Sequence, residues 1–268
     1  MSDTFNPLVN MTEVLGHNTG KEIRPDETFI ETALPGFKLA LNARRSNRIY
    51  DDEKIPEEIM RDCLKDALLA PSSSNLQTYE LYWVRDEDKK KEVQHACFNQ
   101  PAAKTAAEII VVVARGDLWD VNLKKLVHIM SRGGIKELPK VVDDYYHKIT
   151  PMIMKTDAFG IYNLIRRVRF WYKGLTKPFV RTPINKADHR IYAHIQSSLA
   201  AQTLMLSLAA HGYDSCPMGG MDGLRIKKTL GLPRQAEVSM VISTGRGKTE
   251  GLYGARVRLG FDDLIKEV

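Results

Sequence analysis

Two hydrophobic periods alternate along the chain. Ile59, Cys63 and Ala67, flanked by Leu64 and Leu68, recur at three- and four-residue spacing, which predicts an amphipathic helix. Pro56 opens it, Glu57 and Glu58 suit the positive end of its dipole, and Pro71 stops it. Residues 80–84 read as a strand and residues 86–96 as a charged surface helix. The run EIIVVVA at 108–114 is β-branched and unbroken, the signature of a buried strand. Residues 118–130, 137–149 and 158–172 each read as helical, punctuated by Gly133-Gly134, Pro151 and Gly174. A long helix follows over 188–211, where Ile191, Ile195, Leu199, Leu204, Leu206 and Leu208 leave no wide polar face. Such a helix belongs in a core or at a seam between subunits, and Gly212 suits its C-terminal end. A turn is expected at 216–220, a helix from residue 222 and a second buried strand over 237–244. Residues 1–35 carry few apolar residues and read as a loose arm, with a short helix over 36–44. Helices and strands intermingle without a repeat or a low-complexity linker, so the expected class is α+β in one domain over 1–268, with a helical insert at about 115–186.

Composition narrows the setting. The 268 residues, 43% of them hydrophobic, suffice for one sizeable core. No apolar run reaches the ~18 residues of a membrane span, and the first residues have no apolar signal-peptide core, so we read the chain as cytoplasmic. Cys63, Cys97 and Cys216 are odd in number and in no metal spacing, which fits free thiols. The net charge of +6 is uneven, because eight Lys/Arg and one acid between Arg166 and Arg190 give a local +7 and leave −1 for the rest. A basic face confined to one segment argues against nucleic-acid binding.

Three stretches carry candidate chemistry. Arg44, Arg45, Ser46 and Arg48 gather cations around a hydroxyl between a helix and the Tyr50-Asp51 pair. Arginine forks and a hydroxyl on one turn suit a terminal phosphate. Pro71 to Gln77 holds Ser72, Ser73, Ser74, Asn75 and Gln77, more donors and amides than a helix stop requires. Asn and Gln satisfy both donors and acceptors, as the polar edge of a flat heterocycle demands. Pro217-Met218-Gly219-Gly220 is either a turn using glycine for positive φ or a loop whose backbone N–H groups approach a ring closely.

These runs, with Phe98-Asn99-Gln100, the EIIVVVA strand, the long helix and Arg256-Val257-Arg258, resemble the nitroreductase family along most of residues 36–114 and 187–268. The resemblance implies an α+β sandwich with a central, mostly antiparallel sheet flanked by helices, assembled as an intertwined homodimer. It further implies FMN at the subunit interface and ping-pong hydride transfer from NADH or NADPH to an electron-poor acceptor: a nitroarene, a quinone or an activated alkene. Other reactions of the fold, reductive dehalogenation or flavin breakdown, and a non-catalytic FMN-binding role are the alternatives. By family match, Arg44, Arg45, Ser46 and Arg48 contact FMN, Arg48 near its ring end. Pro71, Ser72, Ser73 and Asn75 form the second contact loop, and Asn99 is a ring-edge amide. Pro217, Met218, Gly219 and Gly220 form the loop over N5, with the Gly219 backbone as its donor, while Arg256 and Arg258 clamp the phosphate. No catalytic side chain and no metal are expected, since the flavin carries the chemistry. The chain departs from the pattern at Thr78-Tyr79 after Gln77, at Gly219 where many members have Glu, and at Ala102 where some place Lys.

Two further patterns need separate readings. Gly245-Arg246-Gly247-Lys248-Thr249 ends like a P-loop, but Ile242 stands where the first glycine must be. His189 and His194 are five apart, which is not the spacing of helical zinc ligands, and with His211 they read as solvated or helix-packed. The basic, aromatic run from Arg166 to Arg181 is either a lid whose Phe170, Trp171 and Tyr172 pack on the core, or a peripheral docking surface for anionic lipid, with attraction for NAD(P)H phosphates as a third reading.

Overall fold

The computed structural model describes residues 27–157 and 160–268. Its centre is an antiparallel sheet of β1 (Tyr79–Trp83), β2 (Glu108–Ala114), β3 (Asp214–Met218) and β4 (Glu237–Gly245) in the order β1-β2-β4-β3. Around it lie α1 (Glu27–Ala43), α2 (Glu57–Ala67), α3 (Glu87–Ala96), α4 (Pro101–Lys104), α5 (Trp119–Met130), α6 (Lys140–Asp144), α7 (Thr150–Met154), α8 (Ile161–Lys173), α9 (Lys186–Ala210), α10 (Gly223–Leu230) and α11 (Phe261–Leu264).

The strand β2 explains the layering. Successive side chains of a strand point to opposite faces. Ile109, Val111 and Val113 therefore join Val93 of α3, Ile226 of α10 and Met218 in one core. Ile110 and Val112 join Met60 and Cys63 of α2 and Leu204 and Leu208 of α9 in the other. Both faces are covered, which is why the run shows no alternation in sequence. The result is the expected α+β sandwich.

Three expectations are corrected. The loose arm does not extend to residue 35, because α1 begins at Glu27 with Pro35 inside it. Ile30, Leu34, Phe37 and Leu41 supply a helical stripe that the Pro35-Gly36 pair disguises; the expected arm over residues 1–26 lies outside the described residues. The expected turn at 216–220 is half strand, since Cys216, Pro217 and Met218 pair with Ser243, Ile242 and Val241. Proline is tolerated there because β3 is at the edge of the sheet, next to β4. The helix expected over 137–149 is two helices joined by a π-turn at Tyr145–Ile149, and it runs on to Met154 because Pro151 sits in the first turn of α7.

The long helix α9 runs from Lys186 to Ala210, capped by a reciprocal Asn185–Asp188 box. Gly212 takes φ 80° just past its end. Residues 115–186 of the insert hold α5 to α8, and among the described residues no helix is long and apolar enough to cross a membrane.

Candidate functional site

The arginine run leaves α1 and lies along the open edge of β3, where Ser46 bridges Ser215 in parallel. The backbone N–H of Arg48 donates to Gly251 O at 3.0 Å. The tail returns alongside: Arg256 donates to Asn42 O (2.7 Å) and Arg44 O (2.8 Å), capping the last carbonyls of α1, and Arg45 donates to Gly254 O at 2.7 Å. Arg48 lies over the Tyr253 ring, 4.7 Å from its centroid. Burial, then the charges of Arg256, Arg258 and Arg45, press Arg44 below its ordinary value. Among the described residues, no carboxylate pairs with Arg44, Arg45, Arg48, Arg256 or Arg258; the bonded partners of Arg45, Arg48, Arg256 and Arg258 are carbonyls. Like charges held together without a counter-charge among the described residues repel one another and favour an anionic ligand.

Asn47, unremarked in the sequence, holds this run in place. It is buried, donates to Lys248 O at 3.0 Å and accepts from its near neighbour Ile49 N at 3.2 Å. A Cβ at Gly247 or Gly251 would collide with its side chain. The Gly245–Thr249 stretch that imitates a P-loop is thus a structural loop closed onto Asn47. Tyr50 completes the latch, its one hydroxyl proton lying within reach of Asn47 O (2.8 Å) and Ser243 O (3.1 Å).

At the end of β3, Gly219 and Gly220 adopt no positive φ, and a Cβ on either would meet no atom of the chain within 4 Å. Neither backbone conformation nor internal packing requires glycine there. Gln100 Nε2 donates to Gly220 O at 3.0 Å, and Asp222 N to Ala96 O at 2.8 Å, which sets the Phe98–Gln100 turn beside the glycines. Met218 turns its side chain into the core, so only its backbone can serve a ligand. Burial pushes the Cys216 thiol up from its ordinary value, opposed by Arg48, Arg44 and Ser46.

The third stretch is strained. Positive φ occurs outside glycine at Ser74 (52°), Asn75 (54°), Gln77 (46°), Phe98 (58°), Asn99 (48°) and Arg132 (49°) among the described residues, so five of six lie in candidate loops. Ser72 Oγ accepts from Gln77 N at 3.0 Å. The insert buttresses the loop: Asn122 donates to Leu76 O and Gln77 O at 3.0 and 3.1 Å, and Tyr145 Oη lies 2.8 Å from Ser74 Oγ. No hydrogen bond joins residues 71–75 to the arginines or to the 217–220 loop among the described residues, so one chain does not bring the two halves together by direct bonding.

The nitroreductase family model matches residues 41–246. The chain belongs to the nitroreductase family. A protein of Thermus thermophilus described as an NADH dehydrogenase is 28% identical over 234 residues, covering 86% of this chain and 97% of that relative. YdgI of Bacillus subtilis is 31% identical over 234 residues, covering 86% of this chain and 96% of its own. A nitroreductase-like structure from Exiguobacterium sibiricum, solved in complex with FMN, superposes with a TM-score of 0.62 at 24% identity over 93% of this chain and all of that one, and shares the fold.

This nitroreductase-family chain also holds a pocket that no motif announced. A cavity of about 310 Å³ lies between Gly116, Trp119, Met154 and the first turns of α9, with His189, Arg190 and Glu237 in its wall. His189 is buried with neither ring nitrogen bonded. Burial first, then Arg166, pushes its pKa down to about 4. Arg190 forks onto Glu237 at 2.5 and 2.7 Å, and His194 Nδ1 lies 2.7 Å from Ser239 Oγ. Of His189, His194 and His211, the latter two have polar partners, and among the described residues no cluster of three or more His, Cys, Asp or Glu could hold a metal.

Proposed function

We propose that the chain is an FMN-dependent oxidoreductase that uses NADH or NADPH to reduce an electron-poor small molecule, a nitroarene, quinone or activated alkene. The observation that carries this is the pairing of five arginines with no carboxylate partner among the described residues with two glycines that the chain's own packing does not need. An anion of roughly −2 charge fits the first, and a flat ring lying against the backbone fits the second. Bound there, FMN would supply hydride acceptance and hydride donation at N5.

The chain's residues divide the remaining work. Arg44, Arg256 and Arg258, with the Ser46 hydroxyl, hold the phosphate. Arg48, backed by Tyr253, would supply positive charge toward the ring end of a bound FMN. With FMN bound, the Gly219 N–H would be available to donate to the ring and Asn99 would read its polar edge. Cys216 is not a nucleophile, because burial keeps it as the thiol. Protons come from solvent.

Pro71, Ser72, Ser73 and Asn75 complete the site from a second copy of the chain. That accounts for a strained, exposed loop with no bond to the arginines. It also accounts for the apolar residues left on α1 and α9: Phe37 on one, and Ile191, Ile195 and Leu199 at four-residue spacing on the other.

The test is an absorbance spectrum of the purified protein, before and after anaerobic NADH or NADPH. Flavin bands that bleach with one donor support the reading and name that donor. A protein that neither carries nor takes up FMN overturns it.

A further inference from the structure

The helix α8 is inside out. A surface helix of a water-soluble fold normally buries its apolar stripe and exposes its polar one. Here the buried positions include Asn163 and Arg166, while Ile161 (64% exposed), Leu164 (64%), Ile165 (54%), Val168 (58%) and Trp171 (56%) face outward. These sit at positions i, i+3, i+4, i+7 and i+10 and form one continuous stripe about 15 Å long over the helix itself, with exposed Leu175 in the turn just beyond its end. The expectation that Phe170, Trp171 and Tyr172 all pack on the core is corrected: only Phe170 is buried, against Phe179 at 5.0 Å between ring centroids.

The stripe is held outward by a fixed anchor. Arg166 donates to Met152 O (2.8 Å), Ile153 O (2.8 Å), Lys155 O (2.9 Å) and Ile184 O, satisfying carbonyls on both sides of the helix. Rolling α8 to bury its stripe would leave those carbonyls and a guanidinium unpaired.

Charge selects what covers the stripe. From Asp157 to Asp188 the sequence holds seven Lys/Arg and no acid between those two aspartates. Arg167 and Arg181 flank Leu164, Val168 and Trp171 around an open hollow of about 490 Å³, and neither has a carboxylate partner among the described residues. A second copy meeting this face symmetrically would set cation against cation. Apolar residues with Trp and Tyr, rimmed by Arg and Lys, match the boundary between acyl chains and phosphate headgroups.

We propose that α8 and the segment to Arg181 lie on the surface of an anionic phospholipid bilayer, the Ile161–Leu175 stripe in the interface and Arg167, Arg169, Lys173 and Arg181 against headgroup phosphates. This surface is independent of the flavin reading. It would bring the protein to lipophilic acceptors dissolved in the bilayer.

The experiment is co-sedimentation of the full-length protein with phosphatidylglycerol/phosphatidylcholine vesicles and with pure phosphatidylcholine vesicles, at low and high salt, alongside a Val168→Glu/Trp171→Glu variant and an Arg167→Gln/Arg169→Gln variant. Circular dichroism, flavin content and sedimentation-velocity mass control for folding and assembly. The expected result is binding to anionic vesicles at low salt that falls at least ten-fold in the glutamate variant and several-fold in the glutamine variant, in high salt and on neutral vesicles. Absence of binding to anionic vesicles at low salt overturns the proposal. So does equal binding by the glutamate variant, or a change in its sedimentation mass, which would assign the stripe to contact between subunits.

Discussion

At the residue scale, the informative positions are those whose identity the chain's own packing does not require. Gly219 is one: its φ suits any residue and a Cβ would meet open space. Gly219→Ala should leave thermal stability within about 0.5 kcal/mol of the parent while weakening FMN retention several-fold, read by equilibrium dialysis. Unchanged FMN affinity would mean that nothing approaches that backbone. His189 is the opposite case, a buried group with a pH-dependent cost. Its ordinary value of 6.5 applies to the unfolded chain, and the folded value is about 4. Above pH 6.5 it is neutral in both states and costs nothing by titration. As pH falls between these values the unfolded chain takes up a proton that the fold refuses, so stability drops by up to about 3 kcal/mol and then levels off. His189→Leu should flatten that limb of a urea-denaturation series from pH 7 to pH 4; an unaltered slope would place the imidazole in contact with water.

At the element scale, α8 is fixed by one side chain. Arg166 binds carbonyls at 152, 153, 155 and 184, and so ties α7, α8 and the approach to α9 into one body. Arg166→Met keeps the stem's bulk but strands those acceptors, each at about 1–3 kcal/mol. Hydrogen exchange should then accelerate across α7 and α8 while the sheet stays protected. Exchange that rises uniformly would show instead that the insert and the sandwich unfold as one unit. The strained 72–77 loop hangs on the same insert through Asn122 and Tyr145, so Asn122→Ala should loosen that loop and lower turnover more than FMN affinity, measured as kcat against flavin Kd.

At the scale of the whole molecule, the exposed apolar face of α1 and α9 sets the expectation. Ile191, Ile195 and Leu199 lie on the side of α9 away from the core formed by Ala201, Leu204 and Leu208. Ile195→Glu should yield a monomer by light scattering, with FMN lost in parallel, because the loop at 71–75 would no longer reach the arginines. A monomer that keeps its flavin would show that one chain suffices for binding.

The sequence by itself determined the elements whose signal is local. The EIIVVVA run reads as a buried strand, the Pro56 helix carries its own start and stop, and the arginines clustered around Ser46 announce an anion site because forks and a hydroxyl fall within one turn. The residues Arg44, Arg45, Ser46 and Arg48 were legible for that reason, and Arg256 and Arg258 through resemblance. Only the tertiary structure decided the rest. Asn47 and Tyr50 look ordinary until the 247–251 loop closes on them from 200 residues away. β3 hides as a turn because proline and glycine are local breakers, whereas pairing with β4 is a long-range event. The sequence leaves α8 open between a lid packed on the core, an outward docking surface and an attraction for NAD(P)H phosphates, because spacing reports which residues share a face, not which face is turned to solvent. That choice is made by Arg166, whose partners lie outside its own helix.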